Sequence, residues 1–115
     1  MAQVVTTAVA QKLRVIQDGG MKGIDVAQIL GTRPETVSRW NAGRNQPQGE
    51  TLHKLLELEY IVMRLRELYT PEEARLWVFS RHKALGDQRP ADLIQQGRSD
   101  EVLRAIDQLA EGVYL

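Results

Sequence analysis

D-V-A-Q-I-L-G-T-R-P-E-T-V-S-R-W-N-A-G-R-N-Q-P, Asp25 to Pro47, reads as a short helix, a glycine turn and a second short helix. Asp25 is the expected N-cap of the first, with Gln28 three residues on closing a capping box. Ala27 and Leu30 supply its apolar face, and Gly31 offers the positive φ that a helix C-terminus often takes. Pro34 suits the first turn of the second helix, where its missing N–H is no loss, and Gly43 ends it. Two helices joined by a tight glycine turn form the helix-turn-helix pattern, whose second helix meets the DNA major groove.

The second helix carries two distinct faces. At about 100° per residue, Val37 and Trp40 fall together and point to a core. Glu35, Ser38, Arg39 and Ala42 fall opposite, with Thr36 on the flank. Arg39 is placed to pair with a guanine edge, and Ser38 and Thr36 to reach bases or phosphates. Arg44, Asn45 and Gln46 follow the helix, where the sugar-phosphate backbone would lie. The DNA-binding set is therefore Thr36, Ser38, Arg39, Arg44 and Asn45. Glu35 on the same face would repel phosphate, although it can accept from a cytosine amine. An ordinary helical hairpin with a solvated outer face has the same spacing.

Charge does not decide between these. The 115 residues hold 15 basic and 15 acidic side chains, whereas proteins that live by neutralising phosphate are usually more basic. Residues 1–50 carry six Lys/Arg against four Asp/Glu, and 51–115 nine against eleven, so any basic patch comes from local placement. The absence of cysteine excludes a disulfide framework and thiolate metal sites. No stretch reads as a signal peptide or membrane span, and a cytoplasmic protein with no membrane contact is the expectation.

All the periodicity is helical, which sets the fold class as all-α. A first helix is expected over Gln3–Gln17, with Val5, Val9 and Ile16 along one stripe. Asp18-Gly19-Gly20 breaks it, and Ile24 is positioned to staple onto the next helix. The longest helix runs from about Glu50 to Tyr69, with Leu52, Leu55, Leu56, Val62, Met63, Leu65 and Leu68 as its apolar positions. Thr70-Pro71-Glu72-Glu73 is a dense helix start: Thr70 caps, Pro71 takes the first position and Glu73 closes the box. Trp77 and Phe79 follow as a hydrophobic anchor, in the core or at an interface. Arg81 to Gln88 reads as a polar loop, Ala91 to Gln96 as a short helix, and Ser99 as the cap of a last helix that Gly112 stops.

Catalytic chemistry is not legible. His53 and His82 are far apart with no ligand spacing around them, so no metal is expected. Glu57 with Glu59, and Glu72 with Glu73, read as charged helix faces rather than an acid/base pair, and Gly19-Gly20 with Gly23 follows no strand and makes no dinucleotide loop. An enzyme is not expected, nor a cofactor.

The second half is more specific. W-V-F-S-R-H-K-A-L-G-D-Q-R-P-A-D-L-I-Q-Q-G from Trp77, followed by E-V-L-R-A-I-D-Q-L-A-E-G-V-Y-L from Glu101, resembles the toxin-binding domain of the Xre/MbcA/ParS antitoxin family. The resemblance rests on Trp77, Leu85, Arg89-Pro90-Ala91-Asp92-Leu93, Gly97, Val102 and Gly112, and covers most of residues 60–115. Residues 1–50 resemble the family's Xre-type helix-turn-helix, and the ending Ala110-Glu111-Gly112-Val113-Tyr114 is most similar to actinobacterial members.

The resemblance implies an N-terminal Xre-type helix-turn-helix bundle over 1–50, a connecting helix over 51–69 and a small toxin-binding helical domain over 70–115. It implies a RES-domain toxin as partner, one that destroys NAD by phosphorolysis or hydrolysis. Operator DNA is the second implied partner, through which such pairs repress their own operon. Gly112, Val113, Tyr114 and Leu115 are then the segment that obstructs the toxin's NAD pocket, and Arg81 and Arg89 face the toxin from the docking helices. A homodimer or a higher hetero-oligomer with the toxin is implied as well. Two readings remain beside it: a stand-alone helix-turn-helix regulator whose second half only dimerises, and a scaffold that has lost DNA binding.

Overall fold

The computed structural model describes residues 7–112, which fold into seven α-helices: α1 (Ala8–Asp18), α2 (Gly23–Leu30), α3 (Pro34–Asn41), α4 (Gly49–Arg66), α5 (Pro71–Val78), α6 (Pro90–Gln95) and α7 (Ser99–Gly112). A single 3-10 turn, Lys83–Leu85, and an isolated bridge between His82 and Gln88 shape the loop before α6. The all-α expectation holds for the described residues. None of their helices is long and apolar enough to cross a membrane.

Helix starts follow local chemistry, with three corrections. Thr7 is extended and its Oγ1 accepts from the Ala10 N–H at 3.0 Å, so α1 begins at Ala8; the expected earlier stretch from Gln3, with Val5, lies outside the described residues. Asp25 is not a cap. The helix starts two residues earlier, at Gly23, which places Asp25 in its first turn, where its carboxylate accepts the Lys22 N–H at 2.8 Å; Gln28 is exposed and closes no box. Ser99 is the first helical residue of α7, not its cap, and its buried Oγ has no partner among the described residues. The expected box at α5 does form: Thr70 N–H donates to Glu73 Oε1 at 2.9 Å, and Glu73 N–H to Thr70 Oγ1 at 3.2 Å.

α4 is the axis of the molecule, packing against α1, α2, α5, α6 and α7. Its buried side chains are Leu55, Leu58, Ile61, Val62 and Leu65. Leu56 and Met63, expected among the apolar positions, are instead exposed, because this helix is apolar on two sides and its core stripe is the other one; Leu68 is exposed beyond its end, since α4 stops at Arg66 rather than Tyr69. Around it the buried side chains form one cluster from Val9 to Ile106, drawn from both halves of the chain. Met21 lies inside it at 1% exposure, while Ile24, expected as a staple, is 61% exposed.

The loop between α1 and α2 is wedged in tightly. A Cβ on Gly20, whose φ is +118°, would stand 2.2 Å from the Pro71 carbonyl oxygen, so only glycine fits this passage. Next to it, Asp25 and Arg75 join the two halves. Arg75 Nε and Nη2 donate to the two carboxylate oxygens at 2.7 and 2.9 Å, and the guanidinium also lies 5.4 Å from the centre of the Phe79 ring. Burial alone would raise the Asp25 pKa; the Arg75 bonds and the Lys22 N–H outweigh it and hold the carboxyl below its ordinary value.

Candidate functional site

Two surfaces carry the residues singled out from the sequence. The first is the outer face of α3. α2 and α3 are joined by Gly31-Thr32-Arg33, with Gly31 in the left-handed region at φ 71° and its N–H bonded to the Gln28 carbonyl. Val37 and Trp40 are buried as expected. Glu35, Ser38 and Arg39 are exposed and Thr36 half-buried; Arg44 and Asn45 are exposed beyond the helix end. The residues expected at DNA therefore lie together on a solvent-facing helix and the turn after it, with Arg33 exposed at the helix start.

The second surface is a groove in the C-terminal half. Trp77 and Ala105 are buried beneath it, His82 and Ala84 come from the loop after α5, and Gln108, Leu109 and Gly112 come from the end of α7. Its volume is ≈ 350 Å³. His82 shapes the near side. Its ring packs on the Trp77 ring at 4.7 Å, its Nε2 lies 2.8 Å from the Trp77 carbonyl, and its own carbonyl accepts from the Leu85 and Asp87 N–H groups. Since a carbonyl only accepts, Nε2 carries the hydrogen. Behind this pair a second depression of ≈ 270 Å³ is lined by Tyr69, Glu73, Leu76 and Ser80. Leu76 is 70% exposed there, so an apolar belt runs across both sides of Trp77 and His82.

Polar bonds tie the loop after α5 and the starts of α6 and α7. Arg89 grips Asp92 with two bonds of 2.9 Å at the start of α6, which keeps the carboxyl below its ordinary pKa. Arg81 is exposed and donates to the Asp87 carbonyl at 3.1 Å, across the mouth of its loop. Arg98 bonds both oxygens of Glu101 at 2.6 and 2.9 Å. Both expected toxin-facing arginines thus have in-chain partners, and neither is among the residues that line the groove. Gly112, the last described residue, is on its rim; Val113, Tyr114 and Leu115 lie outside the described residues.

The C-terminal toxin-binding domain of Xre/MbcA/ParS antitoxins matches residues 64–112, the segment that builds this groove. The mycobacterial cidal antitoxin MbcA of Mycobacterium tuberculosis H37Rv is 36% identical over 96 residues, covering 84% of this chain and 85% of that protein. This chain belongs to the Xre/MbcA/ParS antitoxin family. A second member, the probable mycobacterial cidal antitoxin Rv3188 of the same strain, is 28% identical over 84% of this chain and 82% of its own length. The fold agrees with the family too: the crystal structure of the M. tuberculosis MbcT–MbcA toxin–antitoxin complex contains a chain that superposes with a TM-score of 0.83 at 34% identity, over 95% of this chain and 99% of that one. An antitoxin family accounts for a chain in which no acid/base pair or ligand cluster is legible. Among the described residues no group of His, Asp or Glu is arranged to hold a metal.

Sequence reasoning missed Leu76, His82 and the groove itself. Leu76 was detectable in principle: with Ala74, Trp77 and Val78 turned inward, position 76 of a short helix must turn outward. The His82–Trp77 stack had no such signal, since it forms only when the loop folds back.

Proposed function

We propose that this chain is the antitoxin of a RES-domain toxin that consumes NAD, and that it acts by occupying the toxin rather than by chemistry. Residues 70–115 dock through the Trp77–His82 belt, with Arg81 and Arg89 as further contacts to the toxin. Gly112, Val113, Tyr114 and Leu115 leave that rim and close the toxin's NAD entrance. The observation that carries this reading is the coincidence of the family's toxin-binding match, residues 64–112, with the exposed apolar groove on whose rim Gly112 sits. The relative MbcA, solved together with its toxin MbcT, supports it further.

Apolar burial supplies the affinity and the tail supplies inhibition. Seating an exposed leucine such as Leu76 contributes about 1.5 kcal/mol or more, and a buried indole edge adds to it. A slim aromatic-bearing tail then needs little energy of its own, because docking has already placed it.

The same chain, in this proposal, carries an operator-reading element over residues 1–50, joined by the helix of 51–69. The exposed set Ser38, Arg39, Arg44 and Asn45 with flanking Thr36 favours it. The test is co-expression with a RES-domain toxin, following growth and cellular NAD. Deleting Gly112–Leu115 should release NAD loss while the complex still purifies and operator DNA is still bound. Full protection by the truncated chain would refute the tail's role. Arg39→Ala should weaken operator binding by roughly tenfold or more, the worth of one bidentate base contact, and leave neutralisation unchanged.

A further inference from the structure

The operator reading leaves Glu35 without a task, although no residue of α3 stands further forward. It is the second residue of the helix, after Pro34, and it is exposed. At about 100° per residue it points almost directly away from the midline between the buried Val37 and Trp40. Ser38 and Arg39 stand to either side of it, and Ala42 lies behind it in the same line. A recognition helix meets base edges with its N-terminal residues, so this position faces the floor of a groove rather than its phosphate walls. Arg39 follows four residues on, the order and spacing at which an acid and a base attract each other along a helix. Among the described residues, however, neither Glu35 nor Arg39 has an ion-pair partner. Both face outward.

We infer that Glu35 reads a cytosine, and that it weakens binding to any duplex lacking one at that place. The inference rests on the proposal that residues 1–50 read DNA. The chemistry selects the base. A carboxylate only accepts, and in the major groove cytosine itself offers only its N4 amine. Guanine offers the acceptors N7 and O6, and thymine the acceptor O4, all of which repel a carboxylate. Adenine offers an amine too, but its N7 acceptor lies beside it and opposes the second carboxylate oxygen. At any base but cytosine, Glu35 is therefore an unpaired charge pressed between phosphates. The exposed Arg33, Arg39 and Arg44 attract every duplex alike, and Glu35 subtracts from that attraction unless an amine meets it. A chain with 15 basic and 15 acidic side chains thereby gives up general affinity for discrimination. Four residues of helix rise about 6 Å, close to two base steps. The cytosine should lie about two base pairs from the guanine read by Arg39.

Selection by the full chain from a pool of duplexes of randomised sequence tests this. The unmodified chain should enrich a site in which one cytosine is preferred roughly tenfold over the other bases. Glu35→Gln should move that preference to adenine, because an amide donates to N7 and accepts from the N6 amine. Glu35→Ala should abolish it. The guanine preference that Arg39→Ala removes should survive in both variants. On an unselected duplex both should bind several-fold more tightly than the unmodified chain, with a steeper loss of affinity on adding salt. Thermal melts should show all of these chains folded, since the side chains are exposed. Base preferences unchanged in both Glu35 variants would leave it a first-turn acid that merely complements the helix dipole, and overturn the inference. A Glu35-dependent preference for any base but cytosine overturns it as well. If the unmodified chain enriches no sequence, operator reading itself falls and this inference with it; enrichment that ignores Glu35 refutes the inference alone.

Discussion

Replacing Arg75 by alanine tests whether the two halves are clamped through Asp25. The substitution removes two bonds, of 2.7 and 2.9 Å, from a carboxylate whose side chain is 4% exposed. Stripping one partner from a buried ion pair costs about 3–5 kcal/mol. Two features reduce it here: the Arg75 side chain is 43% exposed, so part of the attraction is already screened, and the Lys22 N–H stays on the carboxylate. A loss of about 2 kcal/mol is expected, which lowers the melting temperature of a chain this size by roughly 8 °C. Urea unfolding should show a lower midpoint with an unchanged slope. Asp25→Asn should cost less, about 1 kcal/mol, because it strands an arginine that can turn to water instead of a carboxylate that cannot.

The pH dependence has a definite sign. The folded Asp25 carboxyl titrates below its unfolded value, so its stabilising contribution is complete above the ordinary carboxylate range and is lost as pH falls through the folded value. The gap between the unmodified chain and Arg75→Ala should therefore be widest near neutrality and close toward acid. A variant melting within about 2 °C of the parent, or a gap that stays constant into acid, would refute the clamp.

Three other substitutions probe the frame. Ser99→Ala should be neutral or slightly stabilising in urea titration, because the hydroxyl it removes is buried and unbonded. Thr70→Ala, by contrast, should cost roughly 1 kcal/mol, since it deletes one arm of a formed box. Gly20→Ala should destabilise by 3 kcal/mol or more, on the order of the largest single-residue effects, from a positive φ combined with a clash on the Pro71 carbonyl; a circular-dichroism melt close to the parent's would count against that wedge.

What was legible in the sequence was what is settled within a few residues. Thr70, Pro71 and Glu73 announce their helix because cap, first position and box partner are neighbours. The faces of α3 were legible because Val37 and Trp40 are its only large apolar side chains. Asp25 misled because its true partner is fifty positions away, and a carboxylate just before an apolar run looks the same whether it caps or pairs. α4 misled differently. It holds two apolar stripes, and periodicity cannot say which faces inward when both qualify. At Ser99 the side chain was right for a cap but the helix began one residue too early. The groove escaped altogether, since a hollow is a property of how α5, its loop and α7 meet rather than of any one of them.

The unbroken packing from Val9 to Ile106 bears on how such chains can be shuffled. Among the described residues no seam separates a front piece from a back piece: α2 packs on α6, closely enough that a Cβ added at Gly31 would stand 3.4 Å from the Gln95 side chain. Grafting the first fifty residues of one relative onto the remainder of another will give a chimera that melts early, unless positions 25 and 75 and the facing sides of α2 and α6 come from the same parent. Swapped specificities in this scaffold have to be sought by changing outward-pointing side chains, not by exchanging blocks.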